Sequence, residues 1–291
     1  MPRKIFVVFI FFIATIGFVF FGMRYFGIQK FDFNFPIEDT KNIISEIEKE
    51  INSPPPLKYT NGNNTRTNLT IPGVLKLTND VRYANDGLTA LAENAKLDAI
   101  AQLRLDDMFK KQYFEHISPS GIGVSDVAKE YGYEYITIGE NIALGNFDGD
   151  KALVEAWMNS PGHRANILNG RYAEIGIAVQ KGQYEKKETW MAIQVFAFPL
   201  SACPKIDSAL KQKIDQNNAT ITSMEVSING LKNIIESSDP RSGGDIKVYN
   251  ENVRRYNQLV SEVNALIKET KNYVTTYNAQ VDAFNKCAKG N

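Results

Sequence analysis

The feature that most restricts what this chain can fold into is a stripe of residues near its end. Tyr249, Val253, Tyr256, Val260, Val263, Ile267, Thr270, Val274, Tyr277, Val281 and Phe284 recur at alternating spacings of four and three. Ile214, Asn217, Ile221, Met224, Ile228, Leu231 and Ile235 repeat the pattern upstream. This is the heptad signature of helices that pack along a seam. Residues 237–244, SSDPRSGG, break the pattern between the two runs. The expected structure for residues 200–291 is an antiparallel coiled-coil helical hairpin, closed on itself or paired with a second chain. Cys203 precedes the first arm and Cys287 ends the second, so antiparallel packing brings them together. A disulfide is expected there, with two buried free thiols as the alternative. An extracellular location favours the bond.

The opposite end has a different constraint. Residues 5–23, IFVVFIFFIATIGFVFFGM, form an apolar run long enough to cross a bilayer. It is either a cleaved signal peptide or an uncleaved anchor. Its length, its phenylalanines and the lack of a small-residue exit site favour the anchor, one transmembrane helix. Arg3 and Lys4 precede it, which keeps residues 1–4 in the cytoplasm and the bulk outside a single-pass cell membrane protein. Residues 24–51 read as a stalk, with Ile37, Ile44, Ile47 and Ile51 at helical spacing, or as a solvated juxtamembrane segment. Residues 52–73 contain Pro54-Pro55-Pro56 and then Asn, Thr and Gly, the composition of a flexible linker. Lys plus Arg and Asp plus Glu number 33 each, so no basic excess invites nucleic acid.

Between linker and hairpin, residues 74–199 predict an α+β domain. Helices are expected near 74–84, over 94–112 with an apolar face of Leu97, Ile100, Ala101, Leu103, Leu105, Met108 and Phe109, over 122–131, and over 152–158. Residues 174–180 and 189–198 alternate as strands of a hairpin in a central antiparallel sheet.

Three polar motifs interrupt this ordinary core sequence. His116 lies in Phe114-Glu115-His116-Ile117-Ser118-Pro119, Glu140 in Gly139-Glu140-Asn141-Ile142-Ala143, and His163 in Ser160-Pro161-Gly162-His163-Arg164-Ala165-Asn166. They hold the chain's only two histidines. Two histidines and a glutamate are ligand types that a divalent cation such as Zn²⁺ accepts. The spacings of 24 and 23 residues match no local metal motif. The alternatives are a capping carboxylate in a tight Gly-Glu-Asn turn for Glu140, and a turn residue satisfied by carbonyls for His163. Trp157, Phe114 and Tyr113 read as core, and Asn166 as a residue that ties its loop together.

The ordered motifs resemble the CAP superfamily of cysteine-rich secretory, antigen-five and pathogenesis-related proteins, in its bacterial SCP-like extracellular branch. The resemblance runs from Asn79 and Arg82, through the three motifs and Trp157, to Glu174-Ile175-Gly176. It implies an α-β-α sandwich with a cleft lined by two histidines and two glutamates that can hold a divalent cation. His116, Glu140 and His163 match three of these. The position of the second glutamate is Ser160, and Glu155 points to the other side of its helix. Ser160, Asn141 and Glu155 are the neighbours to watch.

Three functions fit. A binding module for a lipid, a cell-wall component or a protein ranks first. A metal-dependent hydrolase would use Zn²⁺-bound water or Glu140 as base. A surface-display protein would act through the hairpin.

Overall fold

The structure, a computed structural model, describes residues 49–60, 67–238 and 246–290. The expected anchor at residues 5–23 and most of the stalk lie outside the described residues. Among the described residues, no helix is long and apolar enough to cross a membrane.

A six-stranded sheet lies at the centre, in the order β1 (Glu50–Asn52), β4 (Tyr135–Gly145), β6 (Lys187–Pro199), β5 (Glu174–Tyr184), β3 (Ala92–Glu93). A further short strand, β2 (Leu57–Tyr59), also pairs with β4. The expectation of an antiparallel sheet holds for β4, β6 and β5 alone, because β1, β2 and β3 pair in parallel. The β5–β6 hairpin is longer than expected. Its turn is only Glu185 and Lys186, both at positive φ, 49° and 65°, the mirror-image turn that suits the strand twist.

β4 replaces the tight Gly-Glu-Asn turn considered from sequence. It is buried along residues 135–143, on both faces, so polar Glu140 and Asn141 sit in mid-strand. Alternation sends them to opposite sides of the sheet. On one side α2 (Ala95–Lys111) and α3 (Val124–Glu130) cover Ile138, Ile142, Ile193 and Val195. Of the apolar face expected for α2, Leu103 is 39% exposed. On the other, α1 (Ile71–Ala84), α4 (Asp150–Asn159) and α5 (Pro161–Ile167) cover Ala143, Ala192 and Phe196, with Trp157 fully buried. The result is an α-β-α sandwich. Gly176 allows α2 to lie against β5, since a Cβ there would strike the helix backbone at Leu97 and Asp98.

β1 and β2 come from the stretch expected to be stalk end and linker. Residues 49–60 instead line the free edge of β4, and residues 71–73 already belong to α1. Proline-rich composition does not prevent edge pairing, because an edge strand needs donors on one side only.

After the sandwich, α6 (Ser208–Ser237) and α7 (Ile246–Lys289) run antiparallel. Asp207 N–H donates to Gln280 Oε1 at 2.9 Å, and Asn217 Nδ2 to Thr270 Oγ1 at 3.0 Å. Ile214, Ile221, Ile228 and Ile235 are buried against the α7 stripe of Val263, Ile267, Val274, Tyr277 and Val281. Cys203 and Cys287 form the expected disulfide, with Cα atoms 5.6 Å apart. Beside it, Phe284 and Ala288 pack with Ile136, Phe198, Leu200 and Ile206, rooting the helix pair on the sheet.

Candidate functional site

Glu140 is fully buried, and both of its carboxylate oxygens are taken. Arg104 Nε donates to Oε1 at 3.0 Å, and His116 Nδ1 meets Oε2 at 2.7 Å. Burial alone would raise the Glu140 pKa, but the bond from His116 and the Arg104 charge outweigh it and hold the carboxyl below its usual range. Arg104 also donates to Tyr113 Oη, to the Ile122 carbonyl and to the Glu115 and His116 carbonyls. It therefore fixes both the carboxylate and the loop that carries His116. Sequence motifs did not single out Arg104, although it occupies the apolar face of α2 with Leu97, Ile100, Ala101 and Met108. A charge on such a face must find a buried partner.

His116 lies between α2 and α3. Its Nε2 is 2.5 Å from the Pro54 carbonyl oxygen, in the segment between β1 and β2. A carbonyl and a carboxylate can only accept, so both bonds are made together when both ring nitrogens carry a proton.

His163 makes no hydrogen bond to Glu140, Arg104 or His116, although it lies near enough to His116 to feel its charge. It sits in α5, a helix of the other layer, and its Nδ1 shares a 2.8 Å hydrogen bond with Ser160 Oγ. Burial, then the nearby His116 charge, lower its pKa to about 4, with the Ile142 backbone pulling the other way. Its Nε2 has no hydrogen-bond partner of good geometry. Asn141 binds the His163 carbonyl at 3.1 Å, and Asn166 Nδ2 donates to Asn141 Oδ1 at 3.0 Å and to the Asn52 carbonyl at 3.2 Å. Gln194 extends this chain to Thr78 on α1. Asn166 thus ties three elements together, as its loop position suggested. Asn79 pairs with the Leu91 backbone, and Arg82 donates to the Thr89, Ile167 and Asn169 carbonyls, bracing the end of α5.

Of the named neighbours, Ser160 is beside His163 and Asn141 is in the buried network, whereas Glu155 is exposed and paired with Lys151 at 3.5 Å. This donor set does not fit a divalent cation as arranged. The carboxylate is occupied by a guanidinium, and both His116 nitrogens have partners. Among the described residues no group of three or more His, Cys, Asp or Glu side chains is disposed to hold a metal ion.

Comparison with known proteins places the sandwich. Residues 75–196 match the cysteine-rich secretory protein family, CAP. This segment is a CAP domain. It is similar to the uncharacterized protein YkwD of Bacillus subtilis, 40% identical over 117 residues, 40% of this chain and 43% of that one. It is also similar to the uncharacterized membrane protein YlbC of the same organism, 35% identical over 111 residues, 38% of this chain and 32% of that one. The match thus spans less than half of either relative. Among solved structures, an extracellular SCP-domain protein from Bacillus anthracis is 28% identical, with a TM-score of 0.36, over 43% of this chain and 39% of that one. An outer surface protein from Borrelia burgdorferi is 17% identical, with a TM-score of 0.38, over 43% of this chain and 90% of that one. The CAP match ends before α6, so α6 and α7 lie outside it.

Proposed function

We propose that this chain displays a CAP domain outside the cell as a binding module, held at the membrane by residues 5–23. The observation that carries the reading is the saturated Glu140. A carboxylate paired with Arg104 and His116 orients an imidazole for recognition and is poorly placed to act as a free general base. The ligand is a lipid, a cell-wall component or a protein. A photoreactive residue at Ile117, which is 58% exposed beside His116, tests this in the full chain on living cells. One class of extracellular adduct is expected at Ile117 and none at Glu155. Equal labelling at the two positions, or no adduct at Ile117, overturns the reading.

A second reading concerns the helix pair. Ile214, Ile221, Ile228 and Ile235 repeat every seven residues, and Asn217 with Thr270 forms a polar layer that fixes register. This supports a coiled-coil hairpin that presents its polar outer faces to a partner. Deleting residues 204–291 while monitoring surface adducts and light scattering separates its contribution from that of the CAP domain.

A further inference from the structure

The segment from Glu50 to Tyr59 lies along β4 as a strap. Glu50 to Asn52 pair with Thr137 to Gly139, and Leu57 to Tyr59 pair with Ala143 to Gly145. From Asn52 to Leu57 the strap advances five residues, while β4 advances four, from Gly139 to Ala143. One residue is therefore in excess, and the strap bulges at Ser53-Pro54-Pro55-Pro56. Three consecutive prolines cannot donate to a ladder, which fixes the bulge there. The bulge lies alongside Glu140, Asn141 and Ile142, the part of β4 that His116 and His163 both approach.

The bulge is buried at Pro54 and held through main chain. Asn166 on α5 donates to the Asn52 carbonyl, and His116 Nε2 donates to the Pro54 carbonyl from the other layer. A Cβ on Gly162 would come within 2.6 Å of the Pro54 Cβ, so the proline ring fills the space left by that glycine. Half of the strap residues are exposed, Ile51 at 50%. Side-chain anchoring includes Asn52 on Tyr172, Tyr59 stacked on Phe147, Leu57 against the core, and the Glu50 pair with Arg171. Recognition through carbonyls and a small ring contact is how a sheet edge accepts an extended peptide.

We infer that residues 50–59 are a self-bound occupant of a polypeptide-binding edge. The CAP domain receives an extended, proline-containing chain parallel to β4, with one carbonyl on His116, one on Asn166, and a proline over Gly162. The strap keeps this edge filled until another chain replaces it. This rests on reading His116 and Glu140 as a binding site.

The test uses the full chain with residues 50–59 replaced by a Gly/Ser segment of equal length. The probe is a fluorescent peptide of residues 49–60. Saturable binding is expected, lost with Gly162→Val and weakened at least tenfold in the unmodified chain, whose strap competes at an effective concentration of about millimolar. Absence of binding to a folded replacement chain overturns the inference. If that chain does not fold, Gly162→Ala in the intact sequence decides the matter. It pushes on Pro54, so carbethoxylation of His116 is expected to rise several-fold, and an unchanged rate overturns the inference. The two readings fail separately. Peptide binding without surface adducts at Ile117 removes the proposed function and leaves the strap. Adducts without peptide binding do the reverse.

Discussion

At the residue scale, the site depends on Arg104 more than on either histidine. Its guanidinium and the Glu140 carboxylate are both buried, so each makes the other tolerable. Replacing Arg104 with Met strands a buried carboxylate and is expected to cost about 3–5 kcal/mol. It also removes a cause of the lowered Glu140 pKa, so the part of the stability that Glu140 loses in acid should shrink. The double change Arg104→Met/Glu140→Met should recover most of the loss. Urea unfolding followed by tryptophan fluorescence measures both, because Trp157 and Trp190 are buried in the CAP domain. If the double variant is no more stable than the single one, the pair is not the coupled unit described here. His163 supplies a separate pH effect. Its folded pKa of about 4 lies below the ordinary 6.5, so the unfolded chain binds the extra proton between these values. The stabilising contribution is complete above about pH 6.5 and is lost as pH falls toward 4. His163→Gln should flatten that part of the stability profile. Sequence made His116, Glu140 and His163 visible as candidates. It could not place Glu140 and Asn141 on opposite sides of one strand, because alternation has meaning only once the strand is known. Arg104 was visible as a charge on an apolar helix face, but its partner is 36 residues away.

At the element scale, long amphipathic helices were the legible part. α2 runs over the expected stretch, capped by Asn94, whose side chain accepts from Lys96 N–H and Leu97 N–H. β4 was hidden because both faces are buried, which abolishes the usual polar alternation, and because Gly139-Glu140-Asn141 has the composition of a turn. α5 has only seven residues, too few for a period, although Ser160 and Pro161 mark its start. The strap was hidden by its prolines. Close approach between elements makes a sharper claim. Gly176→Ala drives a Cβ into the α2 backbone, which cannot swing aside as a side chain can. Overpacking of this kind should destabilise the CAP domain by about 1–3 kcal/mol or more. Gly230 on α6 has nothing within 4 Å of its would-be Cβ. Gly230→Ala should therefore stabilise the helix pair by up to about 1 kcal/mol through helix propensity. Melting curves that fail to show opposite signs for the two glycines would contradict the packing of β5 on α2.

At the scale of the whole molecule, the chain joins two kinds of stability. The CAP domain has a core on each side of its sheet, whereas each hairpin helix buries one stripe and leaves its other faces to solvent. The heptads marked two long helices, and the expectation that they run antiparallel led to the disulfide. The sheet order was not legible, since parallel pairing of β1, β2 and β3 joins segments far apart in sequence. The Cys203–Cys287 bond spans 84 residues. In the chain-entropy picture a closed loop of that size limits the unfolded hairpin by about 4 kcal/mol. The CAP core lies outside this loop and gains little from it. Cys203→Ser/Cys287→Ser should therefore lower the melting temperature of the helix pair while leaving the sandwich almost unchanged. Two probes separate them in one sample. Among the described residues, α6 and α7, with 30 and 44 residues, supply more than half of the helical circular dichroism. Tryptophan fluorescence reports only the CAP domain, because both tryptophans are there. In the serine variant the dichroism transition should fall to lower temperature than the fluorescence transition. Proteolysis of the same sample should cut within residues 204–289 and spare the sandwich. If both probes shift together, Phe284 and Ala288 couple the hairpin root to the sheet strongly enough for the two parts to unfold as one.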